Sequence, residues 1–196
     1  IKPEINWELG FSDLSYQQIK IQQAKTQGFI SVADNFKTHI NLLINNGELE
    51  GKKLQTLDLN IKGDKSNHHA NFKLNSDLVK SAFKITGGVN NKNVWHSVIS
   101  DLYITDNVQV VRPKKNIDLQ LDINNKAIQI KSHCWQSNES DLCIEQLTAS
   151  EQQGDIKVDL TEFNLASIAH LLPEDLTATG SFTGGLNVNW QQGKLE

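Results

Sequence analysis

One feature constrains this chain more than any other: apolar and polar residues alternate with a period of two along most of its length. Leu57, Leu59 and Ile61 alternate with Asp58 and Asn60. Ile117, Leu119, Leu121 and Ile123 alternate with Asp118, Gln120 and Asp122, and Ile156, Val158 and Leu160 with Asp155, Lys157 and Asp159. Shorter runs repeat the pattern: Phe72 with Leu74, Phe83 with Ile85, Leu102 with Ile104, and Leu186, Val188 and Trp190. Successive side chains of a strand point to opposite faces, so strict alternation makes one apolar and one wet face, the habit of antiparallel sheets. Turn signals punctuate the runs at Asn45-Asn46-Gly47, Gly87-Gly88, Asn90-Asn91, Asn124-Asn125 and Gln191-Gln192-Gly193. The chain is expected to be all-β and mostly antiparallel. Residues 13–27 also carry a weak helical signal, but Ile19 and Ile21 alternate and favour strand. One segment departs from period two: Leu165, Ile168 and Leu172 follow a capping Asn164 and precede Pro173, which predicts a short helix over residues 164–172.

Two hairpins can be registered from the pattern. A two-residue loop at Asn124-Asn125, with the positive φ of a type I′ turn, sets Leu121 opposite Ile128 and Leu119 opposite Ile130. The other face then pairs Gln120 with Gln129 and Asp118 with Lys131, as a single register requires.

A four-residue loop from Ser137 to Ser140 sets Cys134 opposite Cys143, the two cysteines of the chain. Directly opposed residues on antiparallel strands are close enough to bridge. The cysteines predict a disulfide and an oxidising compartment; the alternative is two unpaired buried thiols. A metal site would lack ligands, because His133 adjoins Cys134 and faces the other way. A redox pair would read CxxC. The same register sets Glu145 on the apolar face beside Ser132, a misfit that calls for a bulge or an altered loop.

Composition excludes several classes. The formal net charge of -4 gives no general pull toward nucleic acid. A mean hydropathy of -0.43 describes a chain without a bilayer-spanning run, which needs roughly 18 apolar residues. The chain begins Ile1-Lys2-Pro3 and has no methionine, so we expect a piece of something longer, with Leu195-Glu196 as a cloning scar.

The search for chemistry returns little. His68 and His69 face opposite ways on a strand and cannot share a metal. His39, His96 and His170 are isolated, and the aspartates fall on wet faces. Gly87-Gly88 and Gly184-Gly185 introduce no helix and read as bulges or turns. Arg112-Pro113-Lys114-Lys115 reads as an exposed basic loop. No catalytic residues, metal site or cofactor are expected.

The succession Gly63, His68 or His69, Gly87, Trp95, Cys134-Trp135, Leu142-Cys143, Gly154, Phe163-Asn164-Leu165, Leu171-Leu172-Pro173, Leu176, Gly180 and Gly184 resembles the TamB family. The resemblance covers roughly residues 57–190, and the Cys-Trp, Leu-Cys and Leu-Leu-Pro elements are its most specific part. Residues 1–50 show the same alternation but match nothing particular. The resemblance implies a single elongated domain over residues 1–196: a curled, taco-like half-pipe with an apolar inner face. It implies a periplasmic part of an inner-membrane-anchored chain reaching toward the outer membrane. The implied partner is a TamA-like outer-membrane barrel. Two roles follow for the family, assembly and secretion of outer-membrane proteins, autotransporters especially, and phospholipid transport between the membranes. The cargo would be acyl chains or unfolded outer-membrane protein strands.

Leu57, Leu59, Ile61, Phe72, Leu74, Phe83, Ile85, Ile117, Leu119, Leu121, Ile128, Ile130, Ile156, Val158 and Leu160 are the candidate groove residues. Two other classes share the all-β character. A surface adhesin or autotransporter passenger domain would share the Asn-rich strands. A polysaccharide-active β-helix enzyme would add carboxylates clustered on one face, which this pattern does not offer.

Overall fold

The computed structural model describes residues 3–106, 109–137, 140–165, 177, 179–192 and 194–195. Among them the alternating runs become β1 (Glu4–Tyr16), β2 (Ile19–Ser31), β3 (Lys37–Leu49), β4 (Lys52–Gly63), β5 (His68–Ser76), β6 (Lys80–Val89), β7 (Val94–Thr105) and β8 (Val110–Pro113). They continue as β9 (Ile117–Asp122), β10 (Ala127–Ile130), β11 (His133–Gln136), β12 (Asp141–Ala149), β13 (Gln153–Asn164), β14 (Ser181–Gln191) and β15 (Lys194–Leu195). All join one 15-stranded antiparallel sheet. The weak helical signal over residues 13–27 falls on β1 and β2, as the Ile19–Ile21 alternation favours. Of the helix expected over residues 164–172, residues 166–172 lie outside the described residues.

The topology is a meander with one seam. The first half of β7 pairs β9 and its end pairs β8, so β8 and β9 lie end to end as one interrupted strand. Likewise β10 and β11 both pair β12 in a single continuous register. The interruption falls at Pro113, which has no N–H to give the ladder, and at Lys131-Ser132.

The registers of the two hairpins are as the alternation requires. Leu121 faces Ile128, Leu119 faces Ile130, and Cys134 faces Cys143. Lys131 Nζ lies 3.3 Å from Asp118 Oδ2 on the opposite face. The misfit at Glu145 is resolved by a bulge: the β12–β13 register shifts between Ile144 and Gln146, which frees Glu145 from the apolar face.

Three turn expectations need correction. Asn124 and Asn125 do not take positive φ; Lys126 does, at 49°. The loop has four residues, and the Asp122 carboxylate accepts from the Asn124 and Asn125 backbone N–H groups at 3.0 and 3.1 Å. That side-chain capture favours a type I-like loop over type I′. Asn45-Asn46-Gly47 is no turn but lies within β3, where Asn46 takes φ 55°. The turn comes at Glu50-Gly51, both with positive φ, between Leu49 and its partner Lys52. Gly87-Gly88 lies within β6 rather than at a turn. A Cβ on Gly87 would come within 2.8 Å of the Ser97 Cβ, so the glycine serves close approach of β6 and β7.

Candidate apolar trough

Directly paired residues share a face, so the registers assign each row of the sheet. One row runs Trp7, Gly28, Ile40, Ile61, Ala70, Ile85, Ile99, Ile117 from β1 to β9. The next runs Leu9, Thr26, Leu42, Leu59, Phe72, Phe83, and the Phe72 and Phe83 rings stack with centroids 4.8 Å apart. A third runs Phe11, Ala24, Ile44, Leu57, Leu74, Ser81, Ile104, Val111. Beyond the seam, Leu119, Ile130, Leu147, Ile156 and Val188 form one row, and Leu121, Ile128, Ala149, Gly154 and Trp190 another. Val158 pairs Ile144 and Leu186, and Leu160 pairs Leu142. Every candidate groove residue therefore lies on a single face.

That face has no covering layer among the described residues. Among the described residues Ile117, at 4 % exposure, is the one buried aliphatic side chain. The other candidate groove residues are half-buried, while Leu9 (50 %), Phe11 (48 %) and Leu186 (59 %) lie open toward the two edges and Ile104 is 40 % exposed. A flat single-layer sheet would expose its apolar face more evenly; a curled one lets neighbouring rows shield each other along its middle. At one end Ile104, Val111, Trp135, Leu142 and Phe163 line a pocket of about 380 Å³.

All four tryptophans stand on this face, and the indole N–H groups of Trp7, Trp95 and Trp190 are held. Trp7 covers Gly28 and donates to Thr26 Oγ1 at 3.2 Å. Trp190 covers Gly154 and donates to the Ser150 carbonyl at 3.2 Å. Trp95 donates to His68 Nε2 at 2.8 Å. Trp135 meets His133 edge-on, with centroids 6.0 Å apart. His133 is buried at the seam, its Nδ1 2.9 Å from the Lys131 carbonyl.

The opposite face is wet and charged. Cys134 and Cys143 sit there, joined by a disulfide across directly paired positions with Cα atoms 4.0 Å apart. Lys25 meets Glu8 at 2.8 Å, and Lys84 meets Asp101 at 2.7 Å. The Lys25 hydrogen bond holds the Glu8 carboxyl below its ordinary range. Lys157 bonds Glu145, lowering that carboxyl, while the neighbouring Glu145 carboxyl pushes Asp159 up. Among the described residues no group of three or more His, Cys, Asp or Glu is placed to hold a metal.

Sequence reasoning missed the contribution of β1–β3. Ile5, Trp7, Leu9 and Phe11, and then Ile40, Leu42 and Ile44, carry the same alternation and extend the apolar face. Trp7, Trp95 and His68 were also legible as inward positions by parity, once the strand bounds were known.

Among the described residues, one antiparallel sheet, apolar on one face and without a second layer, defines an open single-sheet β domain rather than a sandwich. The chain belongs to the family described as TamB, N-terminal domain, which matches residues 1–196. It is similar to the translocation and assembly module subunit TamB of Haemophilus influenzae, 26 % identical over 190 residues. That alignment covers 96 % of this chain and 15 % of the relative, so the chain spans a small part of such a protein. No solved structure matches it. Among the described residues no helix is long and apolar enough to cross a membrane.

Proposed function

We propose that the apolar face is a trough for apolar cargo, in a periplasmic stretch of a TamB-like component anchored in the inner membrane. The reading is carried by one observation: a continuous apolar face from β1 to β14 that none of the described residues covers. Exposed apolar area of this extent is stabilised by whatever covers it, and a one-sided sheet has no second layer to do so. Phospholipid acyl chains fit a long, smooth, unbranched path better than folded partners do. Unfolded outer-membrane strands, with their own alternating faces, are the second cargo of the same chemistry. The chain acts as one elongated domain, working with a TamA-like outer-membrane barrel in assembly of outer-membrane proteins and in lipid movement between membranes. A disulfide on the wet face suits the oxidising compartment this requires.

The test is extraction. The chain is purified without detergent, and a photo-crosslinking residue replaces Leu119 or Ile130. Phospholipid recovered by solvent extraction, and crosslinks to acyl chains at these positions, are the expected results. Empty protein and crosslinks to neither lipid nor polypeptide would return the adhesin and passenger readings to the front.

A further inference from the structure

The pair His68–Trp95 forms a strap across the floor of the trough. Trp95 on β7 pairs Val89 on β6, and His68 on β5 pairs Gly87 on β6. For their rings to meet, the two side chains must reach toward each other over β6. Gly87, lacking a side chain, leaves room beneath them. The indole Nε1 lies 2.8 Å from His68 Nε2, and the ring planes differ by 19°.

Donor chemistry assigns the proton. An indole nitrogen can only donate, so His68 Nε2 accepts and carries no hydrogen. The ring is neutral, and its Nδ1–H points to the Asp64 carbonyl at 3.2 Å. Protonation at Nε2 turns the acceptor into a donor facing another donor. The strap then cannot stay tied.

We propose that His68 and Trp95 form a proton-controlled strap that is tied when His68 is neutral and released when it is protonated. The proposal rests on the trough reading for its purpose, since releasing the indole opens floor space over Gly87 to an occupant. The charge environment is simple. The row through His68 carries Thr38, Gly63, Gly87, Ser97 and Leu119, with no charged side chain. The loop leading into β5 brings Asp64 and Lys65. The Asp64 carboxylate is committed to Asn35 Nδ2 at 3.1 Å and to the Ser66 and Asn67 N–H groups at 2.7 and 3.0 Å. His133 also stands on this face, but on β11, beyond the seam from β5.

Two substitutions bracket the states. His68→Gln keeps an acceptor for the indole and never takes a proton, so the strap stays tied. Trp95→Phe removes the donor, so it stays open. The four indole N–H resonances of the purified chain are followed from pH 5 to 8, the window where histidine changes charge, with Trp95 assigned by its loss in Trp95→Phe. The Trp95 resonance should move with pH in the native chain and hold still in His68→Gln. Binding of a zwitterionic phosphatidylcholine with a fluorescent acyl chain should tighten about five-fold or more at acid pH, the lower end of ordinary coupling between sites. His68→Gln should bind like the neutral native chain and Trp95→Phe like the acid one, both without pH dependence. A Trp95 resonance indifferent to pH, or equal pH dependence in His68→Gln, overturns the strap. If no protein binds the probe at any pH, the trough reading fails, and the indole resonance alone still decides the strap.

Discussion

The indole of Trp190 occupies the space over Gly154, its directly paired neighbour on β13, and a Cβ at that glycine would collide with the ring. Gly154→Ala should therefore push Trp190 off its seat. Overpacking costs typically about 1–3 kcal/mol, and the open side of the trough gives the ring somewhere to go, so the lower end is expected. Thermal unfolding by circular dichroism and Trp190 emission measure it. An unchanged midpoint and spectrum would show that the ring is not seated there.

The disulfide should contribute about 2–3 kcal/mol by closing a loop of about ten residues in the unfolded chain. Cys134→Ser/Cys143→Ser should lower the denaturant midpoint accordingly while leaving the sheet intact. Two reactive thiols in denatured, unreduced protein would refute the bridge itself.

Leu119→Asp and Ile130→Asp distinguish a trough from a sealed core. In a core, an unpaired buried charge costs several kcal/mol and unfolds the domain. Both positions are half-buried on the apolar face, where a carboxylate can reach water. We expect folded chains with native circular dichroism and impaired uptake of acyl probes. Global unfolding by each substitution alone would argue for a hidden second layer.

The loop after β9 should respond to acid. Hydrogen bonds from the backbone and side chain of Asn125, with one from the Asn124 backbone, hold the Asp122 carboxyl below its ordinary pKa. A depressed folded-state value means stability present above the ordinary carboxylate pKa and lost as pH falls through the depressed one. The Asn124 and Asn125 amide resonances should shift in that acid range. Asp122→Ala should show the released loop at every pH, and amides indifferent to both changes would leave the capping without effect.

Much of this architecture was legible because alternation pairs like with like. Leu119 opposite Ile130 and Asp118 opposite Lys131 follow from one register that satisfies both faces, and Cys134 opposite Cys143 follows from a second register whose misfit at Glu145 marks the bulge. Bulges were harder to read. One extra residue reverses the parity of a strand, and what selects its position is the partner strand, distant in sequence. Asp101 and Glu162 take positive φ where the β6–β7 and β13–β14 registers slip, and nothing local marks them. Asn45-Asn46-Gly47 has turn composition, yet pairing with β2 and β4 keeps it in a strand. The His68–Trp95 bond was invisible for a related reason, since it spans a strand that belongs to neither residue.

The meander has a consequence for size. Nearly every strand pairs with its neighbours in sequence, so the sheet is assembled from local hairpins without long-range closure. Its thirteen positions along the hydrogen-bonding direction, at about 4.8 Å each, reach roughly 60 Å. Such a sheet behaves as a one-dimensional array, in which each unit depends mainly on the next. Adding or deleting a hairpin changes reach in fixed increments and disturbs only its flanks. Length is thereby an evolvable parameter, adjustable by duplication to a gap of any width without redesign of what already folds.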